Sequence, residues 1–71
     1  MQLNGHALRV IRERSGLSVS ALASEVGISQ PHLSNIERGR RRASPEVSRR
    51  LAVALRVPLL ALLADPDESA S

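Results

Sequence analysis

Side chains that can read the edges of nucleic acid bases are concentrated in one short stretch of the chain. Between positions 30 and 38, the outward positions of a predicted helix carry Gln30, His32, Ser34, Asn35 and Arg38. An ordinary surface helix would carry Glu and Lys in i,i+4 pairs. Amide groups can instead form two hydrogen bonds with an adenine edge in the major groove of DNA. We therefore expect Gln30 and Asn35 to contact bases.

Three neighbouring residues complete the expected base-reading surface. Ser34 has a hydroxyl group that can donate or accept a hydrogen bond, and Pro31 can offer an apolar contact, for example to a thymine methyl group. His32 is a further candidate for a base contact. Its alternative role is that of a solvent-exposed helix residue without any contact to DNA.

A basic loop follows the predicted helix. Residues 38–44 have the sequence RGRRRAS, in which four arginines surround Gly39. A basic loop beside a helix in the major groove reaches phosphates, which supply affinity and salt dependence but no sequence choice. The expected phosphate contacts are Ser29, Arg38, Arg40, Arg41 and Arg42. A loop tip open to proteolysis is the alternative, and it is compatible with phosphate binding.

Two short helices joined by a tight turn must position these side chains. Ser18 is a typical N-cap, and the apolar residues at positions 19, 22, 23 and 26 have the spacing of one helix face. Gly27 is expected to end this helix, because glycine adopts the left-handed backbone conformation without a Cβ penalty. Ser29 can cap the second helix immediately afterwards.

Three further helices complete the expected all-α fold, a compact bundle of five short helices. The helix before the pair closes at Gly16, and Ser44 caps a later helix with Pro45 at its first position. Residues 59–64 form a last helical turn or two. The inward-facing residues of the first and fourth helices are expected to be Ala7, Leu8, Ile11, Val47, Leu51, Ala52 and Leu55.

The composition restricts the possible chemistry. The chain has 71 residues, no cysteine and no Phe, Trp or Tyr. These counts exclude a disulfide framework and a Cys-based zinc site, and they require an aliphatic core. We expect no metal, no cofactor and no enzymatic activity. No acid, base and nucleophile occur together, and so small a core leaves little room for a lined cleft.

The charges are unevenly distributed along the chain. Up to Arg56, ten arginines stand against four glutamates, for a net charge of +6, whereas Asp65, Asp67 and Glu68 follow with −3. Nucleic acid is the natural partner of such a positive field. The alternative, solvated arginines of an arginine-rich proteome, explains the composition equally well.

Three strings of the sequence resemble a known family: GHALRVIRERSGLS, LASEVGISQPHLSNIERGRR and SPEVSRRLAVALRV. Within them, Ala23, Gly27, Leu33 and Ile36 have the spacing of a helix-turn-helix. From Gly5 to Leu63 the chain resembles the phage-repressor-like helix-turn-helix proteins of Cro and C1 type, the XRE family. The resemblance implies a lambda-repressor-like domain over residues 1–64, with the helix-turn-helix at 18–38. It further implies a transcriptional regulator that binds double-stranded DNA sequence-specifically, as a repressor dimer on a palindromic operator.

The resemblance also assigns roles to single residues. Arg12 matches an arginine that, in similar domains, pairs with the glutamate matching Glu37 and lies close to the DNA backbone. We therefore expect an Arg12–Glu37 salt bridge and a phosphate contact from Arg12. Val19 stands where many relatives have a Gln that can bind a phosphate, so one backbone contact is expected to be missing. Pro31 replaces a residue that in some relatives reaches the groove with a polar side chain.

The end of the predicted domain is too apolar for a free surface. Leu59, Leu60, Leu62 and Leu63 cannot all face so small a core, and we expect them to contact a second subunit. In similar regulators this region forms a two-fold dimer contact, which would place two recognition helices about one DNA turn, ~34 Å, apart. Residues 65–71, DPDESAS, are expected to form a flexible acidic tail.

The expected location and a rival function complete the sequence-based hypothesis. No apolar run is long enough for a signal peptide or a membrane span, so we expect a cytoplasmic, nucleoid-associated protein of bacterial or phage origin without a membrane partner.

The rival to the DNA-binding function is an antitoxin-like or protein-docking module that uses the same fold to bind a protein. An antitoxin usually adds a longer toxin-wrapping segment, and a docking domain would lack the base-reading side chains and the arginine loop.

Overall fold

The computed structural model describes residues 2–63 and contains five α-helices with no strand in that range. The predicted all-α bundle is therefore confirmed. In chain order the helices are α1 Gly5–Arg14, α2 Val19–Val26, α3 Gln30–Glu37, α4 Pro45–Leu55 and α5 Leu59–Leu63. Helix α1 packs on α3 and α5, α2 packs on α3 and α4, and α4 packs on α5. None of these helices is long and apolar enough to cross a membrane. The predicted acidic tail lies outside the described residues.

Side-chain caps start four of the five helices. The hydroxyl groups of Ser18, Ser29 and Ser44 accept hydrogen bonds from the backbone N–H groups three residues later, at 3.0, 3.1 and 3.1 Å. These three caps agree with the sequence prediction. The fourth is Asn4, whose Oδ1 accepts from the N–H of Ala7 at 3.0 Å. Each cap satisfies a backbone donor that has no partner within its helix.

Left-handed residues end two of the helices. Gly27 ends α2 with φ 77°, as the sequence predicts. Helix α4 ends in the same way at Arg56, with φ 58°, although a non-glycine residue in this conformation is uncommon. The sharp turn after α2 allows α3 to begin at residue 30, so the pair has the geometry of a helix-turn-helix.

The core is aliphatic. Its fully buried large residues are Leu8, Leu22, Leu33, Ile36, Leu51 and Leu62. Because α3 contributes Leu33 and Ile36, the orientation of its opposite face is fixed by core packing. Helix α3 is thus a rigid platform for the side chains on its outer face.

Leu62 corrects one sequence-based expectation. Its exposed fraction is 0 %, because it packs in the core cluster of its own chain. Its carbonyl also accepts a hydrogen bond from the N–H of Asn4 at 2.7 Å, which closes the N-terminal segment against α5. The prediction that Leu62 contacts a second subunit is therefore wrong.

Gly5 allows α1 to approach the end of α3 closely. A Cβ atom at Gly5 would lie 2.6 Å from the carbonyl oxygen of Glu37 and would also collide with that of Ile36. Only glycine fits this contact without displacement of a backbone. The positively polarised first turn of α1 therefore lies against the last carbonyls of α3, an arrangement that helix dipoles favour.

Candidate nucleic-acid interface

The outer face of α3 presents the predicted base-reading side chains to solvent to different degrees. Gln30 and Pro31, in the first turn, are exposed, whereas His32, Ser34 and Asn35 are half-buried. Recognition helices usually contact base edges with residues near their N-terminus. Gln30 and Pro31, which are exposed in the first turn of α3, are therefore the best placed of the five for such contacts.

Arg12 and Glu37 form the predicted ion pair between α1 and α3. Arg12 Nε donates to Glu37 Oε2 at 2.7 Å, and its second terminal nitrogen donates to Oε1 at 3.1 Å. The other terminal nitrogen donates to the carbonyl of Leu17 at 2.9 Å. The hydrogen bond to Glu37 raises the pKa of Arg12 above its usual value, although burial opposes this change.

These three hydrogen bonds leave two of the five guanidinium N–H groups of Arg12 over, so its expected contact with a DNA phosphate stays a prediction. Its side chain is only 10 % exposed, and all three guanidinium nitrogens donate to partners within the domain. The charge of Arg12 is also compensated by Glu37. Arg12 therefore fixes α1 and the turn before α2 against α3.

The arginine loop, residues 38–42, begins at the end of α3. Arg38 is its C-cap, and Arg38, Arg40, Arg41 and Arg42 are all exposed. The N–H groups of Arg40 and Arg41 both donate to the carbonyl of Asn35, at 2.9 and 3.3 Å. Within residues 2–63, none of these four side chains pairs with a carboxylate. The loop is thus anchored to α3 and carries positive charge beside it that no carboxylate of residues 2–63 pairs with.

Arg9 is a cation at this surface to which the sequence alone assigned no role. It lines a cleft of about 200 Å³ between α1, α2 and α3, together with Val19, Ser34 and Arg38. Its only carboxylate partner within the described chain is Glu13, at a long and exposed 3.4 Å. Arg9 precedes Arg12 by three residues, and this spacing, which places both on one face of α1, was the available signal.

Ser29 has a geometry compatible with its predicted contact. Its hydroxyl oxygen accepts from the N–H of His32, so the hydroxyl hydrogen remains available to a phosphate oxygen. Ser29 is exposed at the N-terminus of α3. A helix N-terminus favours a negative ligand because of its free N–H groups and dipole.

A larger cleft lies elsewhere. It measures about 600 Å³ between α2 and α4 and contains Glu25, Arg49, Arg50 and Val53. Arg50 pairs there with Glu46 at 2.9 Å, which neutralises part of its charge. No outward residue of α3 lines this cleft. Among the described residues there is also no group of three potential metal ligands.

Comparisons with known proteins agree with this geometry. The family model for a helix-turn-helix domain matches residues 5–65. An uncharacterized HTH-type transcriptional regulator of Mycobacterium tuberculosis (strain H37Rv) is 43 % identical over 53 residues, 75 % of this chain and 38 % of the relative. The chain thus spans less than half the length of this relative.

Two solved structures have a similar fold and recognisable sequence identity. The restriction-modification controller protein C.AhdI from Aeromonas hydrophila is 34 % identical, with a TM-score of 0.79 over 82 % of this chain and 88 % of that chain. The biofilm master regulator SinR, from Bacillus subtilis and solved in complex with DNA, is 30 % identical. Its TM-score is 0.79 over 84 % of this chain and 97 % of that chain. The chain therefore belongs to the helix-turn-helix family, and its similarity is to regulators of Cro and C1 type.

Proposed function

We propose that this chain binds double-stranded DNA sequence-specifically and regulates transcription, as a repressor that acts as a dimer on a palindromic operator. The observation that carries the proposal is the outer face of α3. Its amide and hydroxyl side chains lie beside an anchored loop of arginines that have no carboxylate partner within residues 2–63. SinR, which has the same fold, has been solved in complex with DNA, and this supports the proposal.

Base reading is assigned to α3. With this helix in the major groove, Gln30 and Asn35 would form hydrogen bonds with base edges, assisted by Ser34 and His32. A good bidentate contact contributes about 1–3 kcal/mol of discrimination against the wrong base. Pro31 is exposed next to Gln30 and would contact a thymine methyl group.

Phosphate binding is assigned to the margins of α3. The arginine loop lies at its C-terminal end, Ser29 at its N-terminus, and Arg9 beside Ser34 in the cleft towards α1. These groups surround the outer face of α3 on more than one side. They would fix the register of α3 in the groove and make binding strongly dependent on salt.

Dimerisation is assigned to the exposed leucines of α5. Leu60 is 73 % exposed, and Leu59 and Leu63 are half-buried, so these three can contact a second subunit while Leu62 stays in the core. A symmetric dimer would double the contacts and confer a palindromic preference on the binding site.

The rival function, an antitoxin-like or protein-docking module, is not favoured. Protein docking does not require amides on the outer face of α3. It also does not explain the arginines of the loop, which have no carboxylate partner within residues 2–63. A solvated arginine surface would explain the charge but not its concentration beside α3.

Selection of binding sites from random duplex DNA tests the proposal. We expect the wild-type protein to enrich one sequence motif, repeated as a palindrome with its half-sites about one helical turn apart. Enrichment of single half-sites would contradict the dimer but support base reading. A flat selection profile would contradict sequence-specific recognition.

A further inference from the structure

Ser44 follows the arginine loop directly. It lies two residues after Arg42 and three after Arg41, and all three residues are exposed in the irregular segment before α4. Within residues 2–63, neither arginine pairs with a carboxylate. An accessible hydroxyl group therefore stands at a short, fixed spacing from two arginines whose charge no described carboxylate balances.

No other serine of residues 2–63 has an arginine both two and three positions before it. Ser15 also follows an arginine by three residues, but that arginine is Arg12, which is buried in its pair with Glu37. Ser18 and Ser29 cap helices with their hydroxyl groups, and neither has an arginine at these two positions. The arginines, and not the helix start, therefore set this position apart.

The setting of Ser44 is that of a protein-kinase substrate. Kinases select their substrates partly by the pattern of charges around the accepting hydroxyl group. Arginine binds carboxylates with two parallel hydrogen bonds, so Arg41 and Arg42 fit a kinase groove that is lined with acidic residues. Ser44 has an extended backbone with φ −64° and ψ 160°, and residues 42–44 belong to no helix. The segment can therefore be bound as an extended peptide.

We propose that Ser44 is phosphorylated by a serine kinase with an acidic substrate groove, and that the attached phosphate weakens the binding of the arginine loop to DNA. Ser44 Oγ attacks the γ-phosphorus of a nucleoside triphosphate. The bond from this phosphorus to the bridging oxygen breaks, its electron pair leaves with the nucleoside diphosphate, and the hydroxyl proton passes to a base of the kinase. The effect on DNA rests on the proposed function, whereas the modification itself requires no DNA.

The phosphate would change the charge of the loop without unfolding the domain. A phosphoserine carries about −1.5 to −2 charges and three acceptor oxygens. Because an extended chain advances at most about 3.5 Å per residue, the backbones of Arg41 and Arg42 lie within about 10 Å of it. The start of α4 tolerates the negative charge, since a helix N-terminus favours anions and already carries Glu46 in its first turn. Loss of DNA affinity with retention of the fold is therefore expected.

The modification is tested on the whole chain without DNA. The protein is incubated with an arginine-directed serine kinase and magnesium ATP, and mass spectrometry locates the phosphate. We expect transfer to Ser44 and not to the other helix-capping serines, at a rate that falls about 10-fold in Arg41→Gln/Arg42→Gln. Arg49→Gln removes an exposed arginine outside the segment and should leave the rate unchanged. No transfer to Ser44, or an undiminished rate in the double variant, would overturn the inference.

The effect on DNA is tested with two substitutions that preserve the cap. Asp and Asn cap helices about equally well, so Ser44→Asp and Ser44→Asn should both unfold at temperatures close to that of the wild type. At about 50 mM salt we expect Ser44→Asp to bind duplex DNA about 3- to 10-fold more weakly than Ser44→Asn, with the difference closing as salt rises. The phosphorylated wild type, with its larger charge, should lose more affinity.

The arginine loop provides the control for this effect. In an Arg41→Gln/Arg42→Gln background, the difference between Ser44→Asp and Ser44→Asn should fall below about twofold. Equal affinities of the two single variants, together with unchanged binding by the phosphorylated protein, would overturn the regulatory effect. Phosphorylation of Ser44 with no DNA binding by any form would support the modification site and contradict the proposed function.

Discussion

Arg12 of α1 and Glu37 of α3 meet through two hydrogen bonds of 2.7 and 3.1 Å, with side chains only 10 % and 6 % exposed. The third nitrogen of Arg12 binds the carbonyl of Leu17 immediately before α2. One guanidinium group therefore joins α1, the start of the helix-turn-helix and the end of α3. Arg12 thereby fixes the platform on which α3 is held.

Removal of one partner of this pair should destabilise the domain strongly. We expect Glu37→Gln to lower the free energy of unfolding by about 3–5 kcal/mol, because it leaves a buried guanidinium without a counter-charge. Chemical denaturation measures this change. The exposed pair of Arg9 and Glu13 is the control, and Glu13→Gln should cost less than about 1 kcal/mol. Equal costs for the two variants would contradict a structural role of the buried pair.

The close approach of Gly5 to α3 predicts an unusual effect of alanine. Gly→Ala in a helix normally stabilises, by about 0.8–1.0 kcal/mol. At Gly5 the added Cβ would lie 2.6 Å from the carbonyl oxygen of Glu37, so we expect Gly5→Ala to destabilise by about 1–3 kcal/mol. Thermal unfolding compares it with His6→Ala, a change at the exposed next residue that should be nearly neutral. A stabilised Gly5→Ala protein would show that α1 and α3 are further apart.

The arginine loop should control the salt dependence of DNA binding. We expect Arg41→Gln/Arg42→Gln to reduce the slope of log K against log salt by about 0.9 for each phosphate that the variant no longer neutralises. Affinity should fall by the same factor for selected and random sequences, because phosphate contacts do not distinguish bases. Fluorescence anisotropy titrations at several salt concentrations measure both quantities. Arg49→Gln, in the α2–α4 cleft, should leave the slope unchanged.

The two most exposed large apolar residues of the described range, 2–63, allow a matched test of the dimer. Leu60 in α5 is 73 % exposed and Val53 in α4 is 78 % exposed, and only Leu60 belongs to the proposed interface. We expect Leu60→Glu to shift the protein to monomer in sedimentation experiments, because it buries a charge at the contact. Val53→Glu should leave the oligomeric state unchanged. Dimers that persist in Leu60→Glu would place the subunit contact elsewhere.

Local features of the sequence predicted the helices well, and contacts between distant residues account for the errors. Ser18, Ser29 and Ser44 act on N–H groups three residues away, so their roles as caps follow from short patterns. The Arg12–Glu37 pair joins residues 25 positions apart and was accessible only through the family resemblance. The hydrogen bond from Arg12 to the carbonyl of Leu17 was not visible in any pattern.

Packing decided the remaining discrepancies. Four leucines in α5 gave no indication of which one would enter the core, since a five-residue helix has too few residues to define a face. The structure buries Leu62 and leaves Leu60 exposed. The constraint on Gly5 likewise has no local signal in the sequence, because it comes from carbonyl groups at the far end of α3. On α3 itself, Leu33 and Ile36, which have the spacing of a helix-turn-helix, are buried, whereas Gln30 and Pro31 are exposed.

The central claim, that the outer face of α3 reads base sequence, is tested most directly by a ratio of affinities. The affinity for the selected site is divided by that for a scrambled duplex of the same length and composition, at one fixed salt concentration. We expect Gln30→Ala to reduce this ratio by about 5- to 150-fold, the equivalent of one base contact worth about 1–3 kcal/mol, while scrambled DNA is bound as before. Ser24→Ala, at the α2–α4 cleft, should preserve the wild-type ratio. An unchanged ratio for both Gln30→Ala and Asn35→Ala would contradict base reading by α3 and leave only phosphate attraction by the arginines.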